Sequence, residues 1–238
     1  ECKDPTQWKA SKTVFLFKKG DLHDIGNSRP ICLLSVIYKL FARVILNSID
    51  RTLGEGQPCE QAGFRKGFST INHIRTITRL TEVLREYKRP LCLTFIDLET
   101  AFDSIEIEQL MGALGSQGVS TQYIKILRKL YKNFTTEISP FYNDINVDVK
   151  RGVRQGDTIS PKLFTATLQN VMQTLEWDNM GVKTDGRQIH HLRFADDIVL
   201  ITPDISQAEC MVANFDKARG KIDLGLNLKK TMFMKNGS

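Results

Sequence analysis

Paired cysteines are missing from this chain. Its 238 residues hold five, Cys2, Cys32, Cys59, Cys92 and Cys210, with no C-x-x-C spacing among them. That pattern indicates neither a zinc site nor a disulfide framework. Cys32 and Cys92 fall inside apolar runs, where they serve as small hydrophobes. Long hydrophobic runs are also lacking. The longest, residues 31–46, is interrupted by Ser35, Lys39 and Arg43, which leaves it too short and too charged to span a bilayer. No membrane partner is expected. There is no secretory n-region and h-region, no internal repeat and no low-complexity tract, and glycine and proline act as punctuation rather than as a linker. The chain starts at Glu1 rather than Met and stops at Asn236-Gly237-Ser238, so it reads as a piece of something longer.

What is present is an ordinary globular composition, long enough to bury one large core or the cores of two lobes. The formal net charge is +6 and the isoelectric point about 9.0. The basic residues recur in short clusters: Lys18-Lys19, Arg65-Lys66, Lys88-Arg89, Arg128-Lys129, Lys150-Arg151 and Lys229-Lys230. Each alone is a solvated face; together they favour a polyanionic partner.

Periodicity predicts an early strand at residues 13–17 and a helix over 35–49, capped by Ser35, with Ile37, Leu40, Phe41, Val44 and Ile45 inward. A second helix is expected from Ser69 or Thr70 to about residue 87, with Ile74, Ile77, Leu80 and Leu84 on its buried side and Arg89-Pro90 as its stop. A strand at 91–96 follows, then helices near 106–114 and 123–131 and a β-rich stretch over 136–149. Ser160-Pro161 supplies an N-cap with proline in the first turn of a helix over 162–177, carrying Phe164, Leu168, Val171, Met172 and Leu175 inward. A hairpin around Asp196, a helix over 206–222 and a strand at 231–234 complete an α+β pattern.

Three aspartates stand out. Asp97 ends the run Leu91-Cys92-Leu93-Thr94-Phe95-Ile96, and Asp196-Asp197 interrupt Leu192-Arg193-Phe194 and Ile198-Val199-Leu200-Ile201. Two β-prone runs so close together leave room only for a tight reversal. Adjacent carboxylates within about 4 to 6 Å raise one another's pKa unless a cation neutralises them. A further carboxylate from another strand end would complete a two-metal site, with ions about 3.5 to 4 Å apart, suited to in-line displacement at phosphorus. Taken alone, Asp-Asp in a turn reads as a solvated hairpin tip.

The wider context carries a resemblance. Phe95-Ile96-Asp97-Leu98-Glu99-Thr100-Ala101-Phe102-Asp103 and Gly152-Val153-Arg154-Gln155-Gly156-Asp157 with Ser160-Pro161-Lys162-Leu163-Phe164 are two of its motifs, and Phe194-Ala195-Asp196-Asp197 is the third. They resemble, in order and spacing, the palm motifs of reverse transcriptases. The flanking Arg29-Pro30-Ile31-Cys32-Leu33-Leu34, Glu60-Gln61-Ala62-Gly63-Phe64-Arg65 and Gly225-Leu226-Asn227-Leu228-Lys229-Lys230-Thr231 are similar to those of non-LTR, LINE-type retrotransposons, most closely the RTE-like elements of animals.

The resemblance implies a right-hand polymerase fold with a central antiparallel palm sheet, its fingers at residues 1–89 and 117–151 and its palm at 90–116 and 152–238, and with the thumb absent. It implies metal ligation by Asp97, the Leu98 carbonyl, Asp196 and Asp197, with Mg²⁺ as the ion and Mn²⁺ as a substitute. Lys230 would protonate the leaving pyrophosphate. Arg29, with Lys18 or Lys19, would hold the triphosphate. Phe102, beside Ala101, would stand under the sugar and exclude a 2'-hydroxyl, and Gln155 and Gly156 would line the nucleotide. Asp103 is read as a helix-start carboxylate, and His190 and His191 as structural residues. The implied partners are an RNA template, a DNA primer or RNA/DNA hybrid and dNTPs, with a nuclear location carried over from the family.

Other readings remain. An RNA-dependent RNA polymerase also carries an Asp-Asp hairpin, although Phe102 and the Gln155-Gly156-Asp157 to Ser160-Pro161 run argue against it. A truncated, inactive element remnant would at most bind nucleic acid, weakly and with steep salt dependence.

Overall fold

The computed structural model describes residues 5–21, 23–99, 101–139, 143–184 and 186–236. Cys2, Thr100 of the first palm-like motif, residues 140–142 of the expected β-rich stretch and residues 237–238 lie outside them. Along the chain come β1 (Ala10–Phe17), β2 (Ser28–Leu33), α1 (Val36–Glu55), α2 (Thr70–Glu86), β3 (Cys92–Ile96), β4 (Leu98–Glu99), α3 (Ala101–Ser104), α4 (Ile107–Ser116) and α5 (Thr121–Tyr131). There follow β5 (Phe134–Ile138), β6 (Ile145–Val149), α6 (Ser160–Met172), β7 (Val182–Thr184), β8 (Arg187–Ile189), β9 (His191–Phe194), β10 (Asp197–Thr202), α7 (Ile205–Arg219), β11 (Gly225–Leu226) and β12 (Met232–Lys235). Two compact units result, Glu1–Leu53 with Phe102–Ala166 and Gly54–Ala101 with Thr167–Ser238. Their bounds follow compactness and differ from the motif-based division into 1–89 with 117–151 and 90–116 with 152–238.

The first unit is built on a sheet in the order β2-β1-β5-β6, antiparallel except where β1 runs parallel to β5. Its buried polar seam is satisfied internally: the Thr13 and Thr136 hydroxyls bond at 2.7 Å, and Ser11 donates to Thr136 at 2.8 Å. Ser35 accepts from the Tyr38 N–H at 3.1 Å, as a helix cap should. The face that α1 buries overlaps the expected one only in part: Ile45 is buried and Phe41 half-buried as expected. Tyr38, Ala42, Ile45, Leu46, Ile49 and Leu53 point inward, whereas Ile37, Leu40 and Val44 are 69%, 66% and 54% exposed. The true stripe starts one residue later, a rotation of roughly 100°. Two features select it: the Tyr38 hydroxyl donates to buried Asp157 at 2.7 Å, and Ala42 is small enough for close packing.

The second unit has the antiparallel sheet β12-β3-β10-β9 at its centre. Leu80 and Leu84 of α2 pack with Leu91, Leu93, Val182, Leu192 and Ile201, and Ile77 and Phe95 border this core. Ile74, expected among them, is 61% exposed, because the helix meets the core only along its C-terminal half. The helix expected to reach residue 177 ends at Met172, where the Thr174 hydroxyl takes the Val171 carbonyl at 2.7 Å and the backbone tightens into successive turns. Leu175 is therefore only half-buried, while Trp177 is buried. At the other end of that helix, Ser160 begins the first turn instead of capping it from outside.

Candidate active site

The carboxylates are placed by the pairing of β3, β10 and β9. β3 is a buried central strand, and Asp97 follows its last paired residue, Ile96, which faces Ile198. One step further along the same register sets Asp97 across from Asp197. Asp197 in turn pairs with Phe194, so Ala195 and Asp196 alone make the reversal between β9 and β10. Ala195 takes a left-handed φ of 59°. Partial burial and the charges of Asp196 and Asp97 push the Asp197 carboxyl above the usual carboxylate range.

Asp97 is held on two sides. Its Oδ2 accepts from Asn227 Nδ2 at 3.1 Å and lies 3.2 Å from Lys230 Nζ, and its backbone carbonyl accepts from the Asn227 N–H at 2.9 Å. The β4–β11 ladder, Leu226 opposite Leu98 and Gly225 opposite Glu99, brings this segment to the strand end. Asn227 was not among the expected site residues. Its position in Gly-x-Asn-x-Lys-Lys-Thr was visible in the sequence, but its two bonds to Asp97 required the pairing of β4 with β11.

Among the described residues, no three carboxylate, histidine or cysteine side chains close into an ion-binding group. Lys230 occupies part of the Asp97 carboxylate instead. The donor chemistry nonetheless fits a hard divalent cation: carboxylate oxygens on adjacent strand ends, one of them with its pKa raised by partial burial and by its neighbours' charge. Leu98 is buried beside them in β4.

The other expected residues, apart from Ala101, belong to the first unit. Lys18 and Arg29 sit at the loop end of the β1–β2 hairpin, where Leu16 pairs with Arg29 and the Lys18 N–H donates to the Asn27 carbonyl at 2.9 Å. Lys18, Lys19 and Arg29 are exposed. Phe102 stacks on fully buried Phe164, ring centres 4.5 Å apart and planes 15° from parallel. Ala101, at the end of the second unit's segment, is buried.

Gln155 Nε2 donates to both Asp103 oxygens at 3.1 Å, and its carbonyl accepts from the Cys32 N–H at 2.8 Å. Asp103 does lie in the first turn of α3. Its carboxyl is raised by burial, against the opposing effects of Gln155 and the Lys18 charge. Gly156 has a φ of +98°, and a Cβ there would stand 2.9 Å from the Cys32 carbonyl; glycine is required on both counts. A cavity of about 340 Å³, lined in part by Pro30, Cys32, Asp103, Val153, Arg154 and Gln155, opens beside these residues.

His190 and His191 form a stacked pair, Nδ1 to Nδ1 at 2.7 Å, with Trp177 edge-on to both. Burial lowers both imidazole pKa values, His191 the more strongly.

Residues 17–237 match the family described as reverse transcriptase (RNA-dependent DNA polymerase). The chain is 28% identical over 234 residues to the "Retrovirus-related Pol polyprotein from type-1 retrotransposable element R2" of Popillia japonica, covering 96% of this chain and 32% of that one. It is 28% identical over 202 residues to the "Probable RNA-directed DNA polymerase from transposon BS" of Drosophila melanogaster, at 83% and 22% coverage. A telomerase of Candida albicans, solved with the TWJ fragment of telomeric RNA, shares the fold with a TM-score of 0.69 at 13% identity, over 98% of this chain and 44% of that one. The chain thus spans about a third or less of its curated relatives' length. It belongs to the reverse transcriptase family, as a fingers-and-palm domain of the non-LTR retrotransposon type.

Proposed function

We propose that this domain carries out RNA-directed DNA synthesis, joining dNTPs to a primer 3'-hydroxyl on an RNA template. One observation carries the reading: Asp97, Asp196 and Asp197 stand at adjacent strand ends, with Lys230 and Asn227 against Asp97, and Asp197 is pushed towards its protonated form by partial burial and by the other two charges. Such a site gains most from a divalent cation. Mg²⁺, replaceable by Mn²⁺, is the proposed ion, held by Asp97, Asp196, Asp197 and the Leu98 carbonyl. Bound there, a pair of ions would activate the primer hydroxyl and neutralise the leaving pyrophosphate.

The chain's own groups do the rest. The bond from the primer 3'-oxygen to the α-phosphorus forms as the bond to the β-phosphate oxygen breaks. Asn227 keeps the Asp97 carboxylate in one orientation. Lys230, an ammonium beside that carboxylate, would give its proton to the departing pyrophosphate. Arg29 with Lys18 and Lys19 would bind the triphosphate, and Gln155, Gly156 and Ala101 would border the nucleotide. The Phe102 ring, braced on Phe164, would reject a 2'-hydroxyl. The proposal extends to a DNA primer or RNA/DNA hybrid as partner, a nuclear site of action, an RTE-like lineage, and fingers and palm divided at 1–89 with 117–151 and 90–116 with 152–238.

The test is dNTP incorporation by residues 1–238 on an RNA template with an annealed DNA primer, in Mg²⁺ or Mn²⁺. Extension that Asp196→Asn abolishes is expected. Extension equal in wild type and Asp196→Asn would refute the assignment.

A further inference from the structure

Within the second unit, the turn that carries Asp196 is not self-supporting. Ala195 has a φ of 59°, a region that L-residues with a Cβ avoid, and it keeps that conformation only if its surroundings impose it. Those surroundings are residues 60–63. Gln61 is fully buried, and its Oε1 accepts the Ala195 N–H at 3.1 Å and the Gly63 N–H at 2.7 Å. Both neighbours are donors, so the amide must present its oxygen. Nε2 is then left buried with no partner among the described residues. A buried donor without a partner is a standing cost, tolerated here for the acceptor it keeps in place.

Gly63 supplies the second half of the clamp. A Cβ at this position would lie 2.2 Å from the Ala195 nitrogen and 2.9 Å from its Cα. The bare α-carbon is pressed against the turn, and no other residue fits. The segment is itself tied to β9: the Arg193 N–H donates to the Glu60 carbonyl at 2.7 Å, and the Ala62 N–H donates to the Arg193 carbonyl at 3.0 Å. His73 Nε2 lies 2.9 Å from that same carbonyl. Below it, the Arg65 guanidinium donates to the Pro58 carbonyl at 2.6 Å and closes the loop.

We propose that Gln61 and Gly63 are positioning residues that lock the Ala195 turn and thereby aim the Asp196 carboxylate before any cation arrives. The inference rests on the reading of Asp196 and Asp197 as cation ligands. Preset ligands bind an ion without first losing conformational freedom. Released from the clamp, Ala195 would relax to negative φ and carry Asp196 with it.

Amide hydrogen exchange on the metal-free 238-residue protein tests this. In the wild type, the Ala195 and Gly63 amides should exchange slowly although they lie in loops; fast exchange there overturns the proposal without any mutant. In Gln61→Ala, the Ala195 amide should exchange about tenfold faster, the loss of one hydrogen bond. The Ile201 amide, bonded to the His190 carbonyl at 2.9 Å, should stay unchanged. Mn²⁺ binding, followed by electron paramagnetic resonance, should weaken several-fold. Gln61→Glu, which retains an acceptor oxygen, should recover both. Equal acceleration at Ala195 and Ile201 would mean general loosening and would overturn the clamp. A wild type that binds no Mn²⁺, with Ala195 still selectively freed in Gln61→Ala, would sink the cation reading and leave the clamp standing.

Discussion

Replacing Asp197 by Asn should stabilise the metal-free protein while abolishing polymerisation. The side chain keeps its shape and loses its charge, which relieves repulsion from Asp97 across the strand pair and from Asp196 beside it. Like charges directly opposite on paired strands cost on the order of 0.2–1 kcal/mol. Two such neighbours bound the gain at about 0.4–2 kcal/mol, and the lower half applies because Lys230 already screens Asp97 and Asp197 keeps much of its surface in solvent. At about 2–4 °C per kcal/mol for a chain of this size, the melting temperature in EDTA at pH 7 should rise by about 1–5 °C. The sign follows from the raised pKa: the folded wild type is penalised once Asp197 ionises. The advantage of Asn should therefore be complete at neutral pH, fade as pH falls through the raised folded-state pKa, and vanish below the unfolded value of about 3.9, where both folded and unfolded wild type are protonated. Scanning calorimetry with and without Mn²⁺ provides the assay. The ion should raise the wild-type melting temperature and leave that of Asp197→Asn nearly unmoved. A lower melting temperature for Asp197→Asn in EDTA would refute the electrostatic reasoning.

Asn227→Ala removes the side-chain bond to Asp97 and should weaken Mn²⁺ binding several-fold, with a loss of stability of about 1 kcal/mol by urea unfolding; unchanged binding would show that Asp97 needs no such support. Phe102→Val should admit ribonucleotides in a misincorporation assay, at less stability cost than the roughly 3–5 kcal/mol of a core Phe→Ala truncation, and an unaltered preference would remove Phe102 as the gate. Gly156→Ala, which forces a Cβ towards the Cys32 carbonyl at positive φ, should cost about 1–3 kcal/mol by the same unfolding measurement. The paired imidazoles titrate below their ordinary value of about 6.5, so stability should be complete above that pH and decline as pH drops through it; His191→Phe should flatten the decline between pH 7.5 and 5.5.

Local signals carried most of the architecture. Ser35 as cap, Asp97 at a strand end and the reversal at Ala195-Asp196 all follow from neighbours within a few residues, and all stand in the fold. The buried face of α1 was not legible. Both stripes, Ile37-Leu40-Phe41-Val44 and Tyr38-Ala42-Leu46-Ile49, with Ile45 common to them, are largely apolar at helical spacing, and what decides between them is Asp157, 119 positions from Tyr38. Gln61 and Asn227 stand in the sequence only as members of flanking motifs for a similar reason. An amide's use depends on which donors or acceptors surround it, and here these are the Ala195 N–H and the Asp97 carboxylate, brought close by β-pairing alone. The early end of α6 likewise turns on the Thr174 hydroxyl reaching back to Val171, an outcome invisible to hydrophobic spacing.

Were Asp97 to take up a cation as proposed, the Lys230–Asp97 contact would make that uptake an exchange rather than a simple addition. An incoming ion has to displace an ammonium from the oxygen it needs, so the affinity measured in solution is the ion's own attraction less that of its tethered competitor. The displaced lysine would then be free to swing towards the phosphates while they are present, and would return to Asp97 once ion and product left. A single side chain would thereby stand guard over the empty site and serve the filled one. Neutralising it would tighten resting metal binding while slowing turnover.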